Sequence, residues 1–258
     1  MTAISPPWLR APATARVMAA LAPARPFFVG GCVRDALMAR EPAGDVDIAV
    51  AVPPEETLRL AEAAGLGAHP TGIAHGVVTV TAGGRGFEIA SMRRDVATDG
   101  RRAVIAYTSE IAADAARRDF TINALYADAG GKVFDPLGLG LADLGARRLR
   151  FVGDPATRIS EDRLRALRYF RFHATLGINE FDAPGLRAAL DGAEELEMIS
   201  RERIGAEMMK LLAAPDPEPA LSAMGPALVL CLPGATVFKG LVAAELDAGE
   251  PPDPLRRL

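Results

Sequence analysis

Two short motifs in the first fifth of the chain carry residues that could bind a phosphate and a metal ion. The first is Gly30-Gly31-Cys32-Val33-Arg34-Asp35, which follows the apolar run 26–29 and opens a helical pattern over 33–39. Paired glycines let the backbone approach a ligand closely, and a helix N-terminus favours an anion. Arg34 adds a fork of donors that matches phosphate oxygens. We therefore predict that Gly30, Gly31 and Arg34 bind phosphate.

The second motif is Asp45-Val46-Asp47, at the start of an alternating, valine-rich run over 45–52. This pattern predicts a strand, on which Asp45 and Asp47 point to the same face. Two converging carboxylates are costly unless a cation joins them, so we predict that both are catalytic metal ligands. Mg²⁺ that also holds a nucleoside triphosphate is the expected ion. Glu88, in the predicted strand 86–90, is either a third carboxylate of this site or an exposed strand residue.

A third segment, Arg117-Arg118-Asp119-Phe120-Thr121-Ile122-Asn123, places two arginines just before a predicted helix that Asp119 caps. Such a pair could form an anion site.

A fourth segment, Glu161 to Phe172, has the pattern of an amphipathic helix, on which Asp162 and Arg165 are surface neighbours. The two residues either form an ordinary ion pair or recognise a base. Asp162 only accepts and Arg165 only donates, so together they suit the amine and unprotonated ring nitrogen of cytosine or adenine. Uracil and guanine invert both contacts, at a cost of roughly 1–3 kcal/mol each.

Together these motifs resemble the head and neck portion of the class II tRNA nucleotidyltransferases, the CCA-adding enzymes, and of the related bacterial poly(A) polymerases. The resemblance implies an α+β head of the polymerase β type, followed by a helical neck. It also implies two Mg²⁺ ions on Asp45 and Asp47, with CTP and ATP as substrates. The implied nucleotide-binding residues are Gly30, Gly31, Arg34, Arg117, Asp119, Asn123, Asp162, Arg165 and Arg168.

Two further segments are interpreted through the same resemblance. The polar, glycine-broken run 93–106 is predicted to be a mobile loop, like the loop that helps family members change from C to A addition. The run 200–207 resembles a neck-helix motif, in which Arg203 and Glu207 are expected to form a structural pair.

The elements that position these residues follow from hydrophobic periodicity. A helical entry segment (1–25) precedes a head of mixed strands and helices (26–147), and a helical neck with the start of a body (148–258) follows. Predicted strands cover 26–29, 45–52, 77–82, 86–90 and 132–134. Predicted helices cover 33–39, 55–64, 110–126, 154–176, 183–195, 201–213 and 219–231.

Composition excludes several classes of protein. No apolar run reaches membrane-spanning length, and two cysteines with three histidines provide neither a disulfide framework nor a zinc pattern. We therefore expect a cytoplasmic protein with no membrane partner. The net charge is −4, but eight arginines lie between Arg147 and Arg171, and this block could follow an RNA phosphate backbone.

The leading hypothesis is Mg²⁺-dependent addition of CCA to the 3′ end of tRNA without a template. The first alternative is poly(A) polymerase, or addition of only the two Cs or only the A. The second alternative is a non-catalytic fragment that binds nucleotides. Family members continue into further helices, so this sequence is either truncated or an unusually short family member, which leaves the grip on whole tRNA open. The oligomeric state is open as well.

Overall fold

The computed structural model describes residues 2–41, 45–96, 104–178, 180–232 and 241–258. The chain divides into two compact units, Met1–Ala142 and Asp143–Leu258. The first unit contains a mixed sheet with helices, whereas the second is helical in its described part. The α+β fold predicted from the sequence is confirmed. The predicted boundary between head and neck, at 147/148, falls inside the second unit.

A seven-stranded sheet forms the centre of the first unit, in the order β3-β4-β5-β2-β1-β8-β9. The β2–β5 pair is parallel, and the other neighbours are antiparallel. The strands β6 and β7 form a separate antiparallel pair. The strands are β1 (Phe27–Val29), β2 (Ile48–Val50), β3 (Gly67–Gly72), β4 (Val77–Ala82), β5 (Arg85–Ser91), β6 (Arg93–Val96), β7 (Val104–Tyr107), β8 (Tyr126–Ala127) and β9 (Val133–Phe134).

Short helices flank the sheet, and their sequences explain where they begin. Proline occupies the first turn of α1 and of α3, where its missing N–H costs no hydrogen bond. The α-helices are α1 (Pro12–Ala20), α2 (Gly31–Leu37), α3 (Pro54–Ala63), α4 (Ile111–Ala116) and α5 (Gly140–Gly145), which ends in the second unit. The 3₁₀ helices are Pro7–Arg10, Ala22–Ala24, Ile73–His75 and Thr121–Asn123.

Two predicted elements of the first unit are wrong. The helix predicted over 110–126 is α4 followed by a 3₁₀ turn and β8, because the backbone of Tyr126 pairs with Val29 and Phe134 in the sheet. The loop predicted over 93–106 contains the paired strands β6 and β7, with Arg93 opposite Tyr107. Residues 97–103 of that loop lie outside the described residues.

The second unit is built from helices that are shorter than predicted. The helix predicted over 154–176 is interrupted at Asp162, whose backbone is extended, and the one predicted over 219–231 is interrupted at Gly225. The helices are α6 (Pro155–Glu161), α7 (Leu164–Leu176), α8 (Ala183–Ala193), α9 (Arg201–Leu212), α10 (Glu218–Met224), α11 (Pro226–Cys231) and α12 (Leu241–Asp247), with a 3₁₀ helix at Glu194–Met198.

The core of the second unit is centred on α7, which packs against α8 and α9. The ring of Tyr169 stacks on Phe151 at a centroid distance of 5.4 Å, and that of His173 stacks on Phe181 at 3.6 Å. Leu164, as the amphipathic pattern predicts, is buried with the apolar face of the helix. Within the described ranges, no helix has both the length and the apolar character that a membrane crossing requires.

Candidate active site

Three carboxylates share one face of the sheet at the β2–β5 pair. Regular strand structure begins only at Ile48, but the carbonyl of Asp47 accepts a hydrogen bond from the Val29 amide at 3.1 Å, so the backbone is already extended there. Alternation places Asp45 and Asp47 on the face opposite to the buried Val46. The parallel register pairs Ile48 with Ile89, which brings Glu88 beside Asp47 on that same face.

The electrostatics of Asp47 show that these charges interact. Its pKa is raised to about 6 by burial, by the charge of Glu88 and by that of Asp45, while Arg118 opposes the shift. A carboxylate that resists ionisation among like charges is stabilised when a cation is bound.

The donor set fits Mg²⁺, although the structure does not bring three ligands together. In the part of the chain that is described, no three side chains of the His, Cys, Asp or Glu types lie close enough to hold a metal by themselves. Mg²⁺ is usually held by one or two carboxylates and completes its coordination with water and substrate phosphates. Two aspartates with a neighbouring glutamate, all oxygen donors, are compatible with that pattern. The metal roles of Asp45, Asp47 and Glu88 stay predictions.

The glycine motif forms the turn between β1 and α2. Gly30 has φ 74° and ψ −127°, a conformation that glycine adopts far more readily than other residues. The thiol of Cys32, buried behind the turn, donates to the carbonyls of Val29 and Asp47, and burial raises its pKa to about 12. Cys32 therefore packs the turn against the Asp47 strand, and its thiol stays protonated.

Arg118 faces Gly30 of this turn, and of the two arginines in its motif the site prediction named only Arg117. A Cβ placed on Gly30 would lie 3.7 Å from Nη1 of Arg118. The influence of Arg118 on the pKa of Asp47 places its charge beside the carboxylates as well. Arg117 instead donates to Asp114 and to the carbonyl of Arg93. The paired arginines of the motif were visible in the sequence, but which of them faces the glycine turn was not.

Arg34 is buried beside the glycine turn, since a Cβ on Gly31 would lie 3.7 Å from its Nη2, and its role in binding phosphate stays a prediction. It donates through Nε to Asp35 at 2.8 Å and through Nη1 to Asn123 at 2.7 Å. Asn123 in turn donates to Asp119 at 3.2 Å, and Asp119 accepts from the Phe120 amide at 2.8 Å. Arg34 thus holds Asn123 in place, and the structure joins these three predicted nucleotide-binding residues in one network.

The predicted base-reading residues lie at the break between α6 and α7, not within one helix. The amide of Arg165 donates to the carbonyl of Asp162 at 2.9 Å, which keeps the two residues adjacent. The Asp162 carboxylate accepts from the Leu164 amide at 3.2 Å and from Arg203 at 3.3 Å. Arg165 donates through Nη1 to Glu161 at 2.6 Å.

Two other expectations about this region have different outcomes. The predicted Arg203–Glu207 pair is wrong, because Arg203 pairs with Asp162 and Glu207 pairs with Arg171 at 2.6 Å. The guanidinium of Arg168 lies 5.2 Å from the ring centre of Phe172, and its predicted role in binding the triphosphate stays a prediction.

Residues 26–150 match the family described as the Poly A polymerase head domain. Over 191 residues the chain is 47% identical to a CCA-adding enzyme of Streptococcus gordonii, an alignment that covers 73% of this chain and 46% of that protein. Over 186 residues it is 39% identical to the mitochondrial CCA tRNA nucleotidyltransferase 1 of Danio rerio, covering 71% and 43%.

Among solved structures, the CCA-adding enzyme of Bacillus stearothermophilus in complex with CTP is similar, with a TM-score of 0.77 and 33% identity. The match covers 89% of this chain and 55% of that one. The chain thus spans about half the length of the relatives that it matches.

Proposed function

We propose that this chain, whose residues 26–150 match the Poly A polymerase head-domain family, transfers CMP and AMP from CTP and ATP to the 3′ end of tRNA without a template. The observation that carries this proposal is the face shared by Asp45, Asp47 and Glu88, with Arg118 between it and the Gly30 turn. The similarity to proteins named CCA-adding enzymes supports the choice of substrates.

In the proposed mechanism the first unit binds the reacting groups. Asp45 and Asp47, with Glu88 beside them, would hold two Mg²⁺ ions. When bound, these ions activate the RNA 3′-hydroxyl and neutralise the leaving pyrophosphate. Arg118 supplies positive charge to the triphosphate at the Gly30 turn, where the missing side chain lets the phosphate oxygens approach the backbone. Asn123, held by Arg34, is positioned to bind the ribose.

Selection of the base is assigned to Asp162 and Arg165 of the second unit. Asp162 accepts from the exocyclic amine and Arg165 donates to the ring nitrogen, a pattern that cytosine and adenine offer and that uracil and guanine reverse. Arg203, which pairs with Asp162 at 3.3 Å, orients the carboxylate. We assign Arg168 to the triphosphate.

The cytoplasm is the compartment that we propose. Cys32 and Cys231 are both buried free thiols, as expected for a protein that folds under reducing conditions.

Two alternatives to CCA addition remain, one with the same reaction and one with nucleotide binding alone. A poly(A) polymerase is favoured by the description of the matching family, and an enzyme that adds only the Cs or only the A would use the same site. A non-catalytic protein would use the same residues to bind nucleotides without transferring them.

The test is incorporation of labelled CTP and ATP, with Mg²⁺, into tRNA that lacks its last three nucleotides. Two Cs and one A followed by arrest are expected. Repeated addition of A would identify a poly(A) polymerase, and binding of CTP and ATP without incorporation would identify the non-catalytic alternative. The Asp47→Ala variant, purified in parallel, controls for contaminating enzyme activity.

A further inference from the structure

Asp114, on α4, lies at the centre of a buried network to which the proposed mechanism gives no role. Its residue is 1% exposed, and both carboxylate oxygens are fully used. Oδ1 accepts from Arg117 at 2.9 and 2.5 Å and from the Arg93 amide at 3.2 Å. Oδ2 accepts from Arg118 at 2.9 Å and from the Tyr126 hydroxyl at 2.6 Å.

This network determines which part of Arg118 faces the glycine turn. Its Nη2 donates to Asp114, and its Nε donates to the Tyr126 hydroxyl at 3.0 Å. The remaining nitrogen, Nη1, has no hydrogen-bond partner among the described residues and lies toward Gly30. A guanidinium is planar and rigid, so fixing two of its three nitrogens fixes the direction of the third.

We infer that Asp114, together with the Tyr126 hydroxyl, is a positioning residue that holds Nη1 of Arg118 toward the triphosphate site. The inference rests on the proposed function, because it takes a triphosphate as the ligand beside Gly30. Asp114 itself touches no reacting group and acts through Arg118.

Two further observations support a positioning role over simple charge burial. A single Arg117 pair would already neutralise the buried Asp114, yet the carboxylate holds a second arginine and a tyrosine as well. Through the amide of Arg93, the same carboxylate also fixes the first residue of β6. The start of β6 and the direction of Arg118 therefore depend on one side chain.

The experiment compares the affinities of CTP and cytidine for wild-type protein, Asp114→Asn, Arg118→Ala and the double variant, by titration calorimetry. Because only CTP carries the triphosphate, Asp114→Asn should weaken CTP about tenfold or more and leave cytidine unchanged. If Asp114 acts through Arg118, adding Asp114→Asn to Arg118→Ala should weaken CTP no further. Asp114→Glu should recover part of the loss.

The control variant is Asp143→Asn, in the second unit, which removes another carboxylate that is 1% exposed and paired with an arginine. It should lower the melting temperature without changing the ratio of CTP to cytidine affinity. If Asp114→Asn does not fold, Tyr126→Phe replaces it, since this change removes only the hydroxyl bonded to Arg118 and Asp114.

Unchanged CTP affinity in the Asp114→Asn or Tyr126→Phe variant would overturn the inference. The inference would also be overturned if Asp114→Asn weakened CTP binding equally in wild-type protein and in the Arg118→Ala variant. Wild-type protein that binds CTP no more tightly than cytidine would contradict the proposed function itself, and the positioning role with it.

Discussion

Asp47 is a carboxylate whose charged form is unfavourable in the native state. Its pKa is raised to about 6 by burial and by Glu88, so above this pH the native state carries a charge that it disfavours. Removing that charge should therefore not destabilise the metal-free protein at neutral pH. Such behaviour is typical of residues kept for ligand binding rather than for folding.

We predict that Asp47→Ala lowers nucleotide transfer by about a thousandfold or more, because it removes a ligand of the ions that activate the reaction. The melting temperature without added metal, measured at pH 8, should stay equal or rise. Glu62→Ala, an exposed carboxylate on α3, is the control and should leave both quantities unchanged. Normal turnover in the Asp47 variant would disprove the metal assignment.

Arg165 carries the prediction about base selection. Arg165→Ala should weaken the preference of CTP over UTP by roughly tenfold, because one donor matched to the cytosine ring nitrogen is lost. The measurement is kcat/KM for each triphosphate. Arg163→Ala, which removes a nearby arginine paired with Glu195, should keep the preference. Full discrimination in the Arg165 variant would leave the base-reading role without support.

Single residues were predictable where the chemistry depends on residue type and local spacing. The shared face of Asp45 and Asp47 follows from strand alternation, and the special backbone of Gly30 follows from the glycine pair. The position of the Arg118 side chain could not be derived, because its hydrogen bonds to Asp114 and Tyr126 are contacts that the sequence does not reveal. Arg34 bonds Asp35 and Asn123, contacts that the sequence did not indicate, and its role in binding phosphate stays a prediction.

At the scale of elements, the turn between β1 and α2 depends on one of its two glycines. Gly30→Ala should lower the free energy of unfolding by about 1–3 kcal/mol, because a side chain is strained at φ 74°. Gly31→Ala is the matched control. Its added Cβ would meet Nη2 of Arg34 at 3.7 Å, an ordinary contact, so stability should change little. Chemical denaturation measures both, and equal losses would show that backbone conformation is not the cause.

Helix α7 carries a histidine whose burial makes stability depend on pH. The pKa of His173 is lowered from 6.5 to about 4 because burial disfavours the charged imidazole, which stacks on Phe181. The unfolded chain therefore takes up a proton below pH 6.5, whereas the native state does so only near pH 4. This contribution to stability is complete above pH 6.5 and is lost as the pH falls toward 4.

His173→Leu should remove this dependence. The difference in unfolding free energy between wild type and variant should shift by about 2 kcal/mol between pH 7 and pH 4.5. His69→Gln, an exposed histidine on β3, should unfold with the wild-type pH dependence. Parallel pH profiles for wild type and His173→Leu would disprove this explanation.

Two of the wrong helices, those predicted over 110–126 and 154–176, share one physical cause, which is competition from side chains and distant strands. Asp119 bonds the Phe120 amide and Asn123, and Tyr126 joins the sheet, so the helix predicted through this segment ends early. Asp162 likewise accepts from the Leu164 amide at the break between α6 and α7. Periodicity finds apolar faces, but it does not reveal where a polar side chain replaces a backbone partner.

At the scale of the whole molecule, the arginine block from Arg147 to Arg171 is less positive than its sequence suggests. Folding brings three carboxylates from outside that window to it, since Asp143, Glu195 and Glu207 pair with Arg150, Arg163 and Arg171. Glu161 pairs with both Arg158 and Arg165. The motifs lie in a region that matches the Poly A polymerase head-domain family, but the arginine block that was expected to follow an RNA backbone is largely neutralised within its own unit.

This neutralisation predicts a weak dependence of RNA binding on salt. If all eight arginines met phosphates of a single strand, log K would fall with log salt at a slope of about −6, and with one or two contacts the slope would be about −1. We expect a value near −1 for tRNA that lacks its last three nucleotides, measured by fluorescence titration between 50 and 200 mM salt.

Arg148→Ala and Arg163→Ala provide the matched comparison for that slope. Arg148 is exposed, and no carboxylate pairs with it among the described residues, whereas Arg163 pairs with Glu195. Removing Arg148 should reduce the slope if it meets a phosphate, and removing Arg163 should not. A wild-type slope near −6 would mean that the ion pairs open when RNA binds. The paired arginines would then exchange their carboxylates for RNA phosphates. In that case the Arg163 variant would show a reduced slope as well.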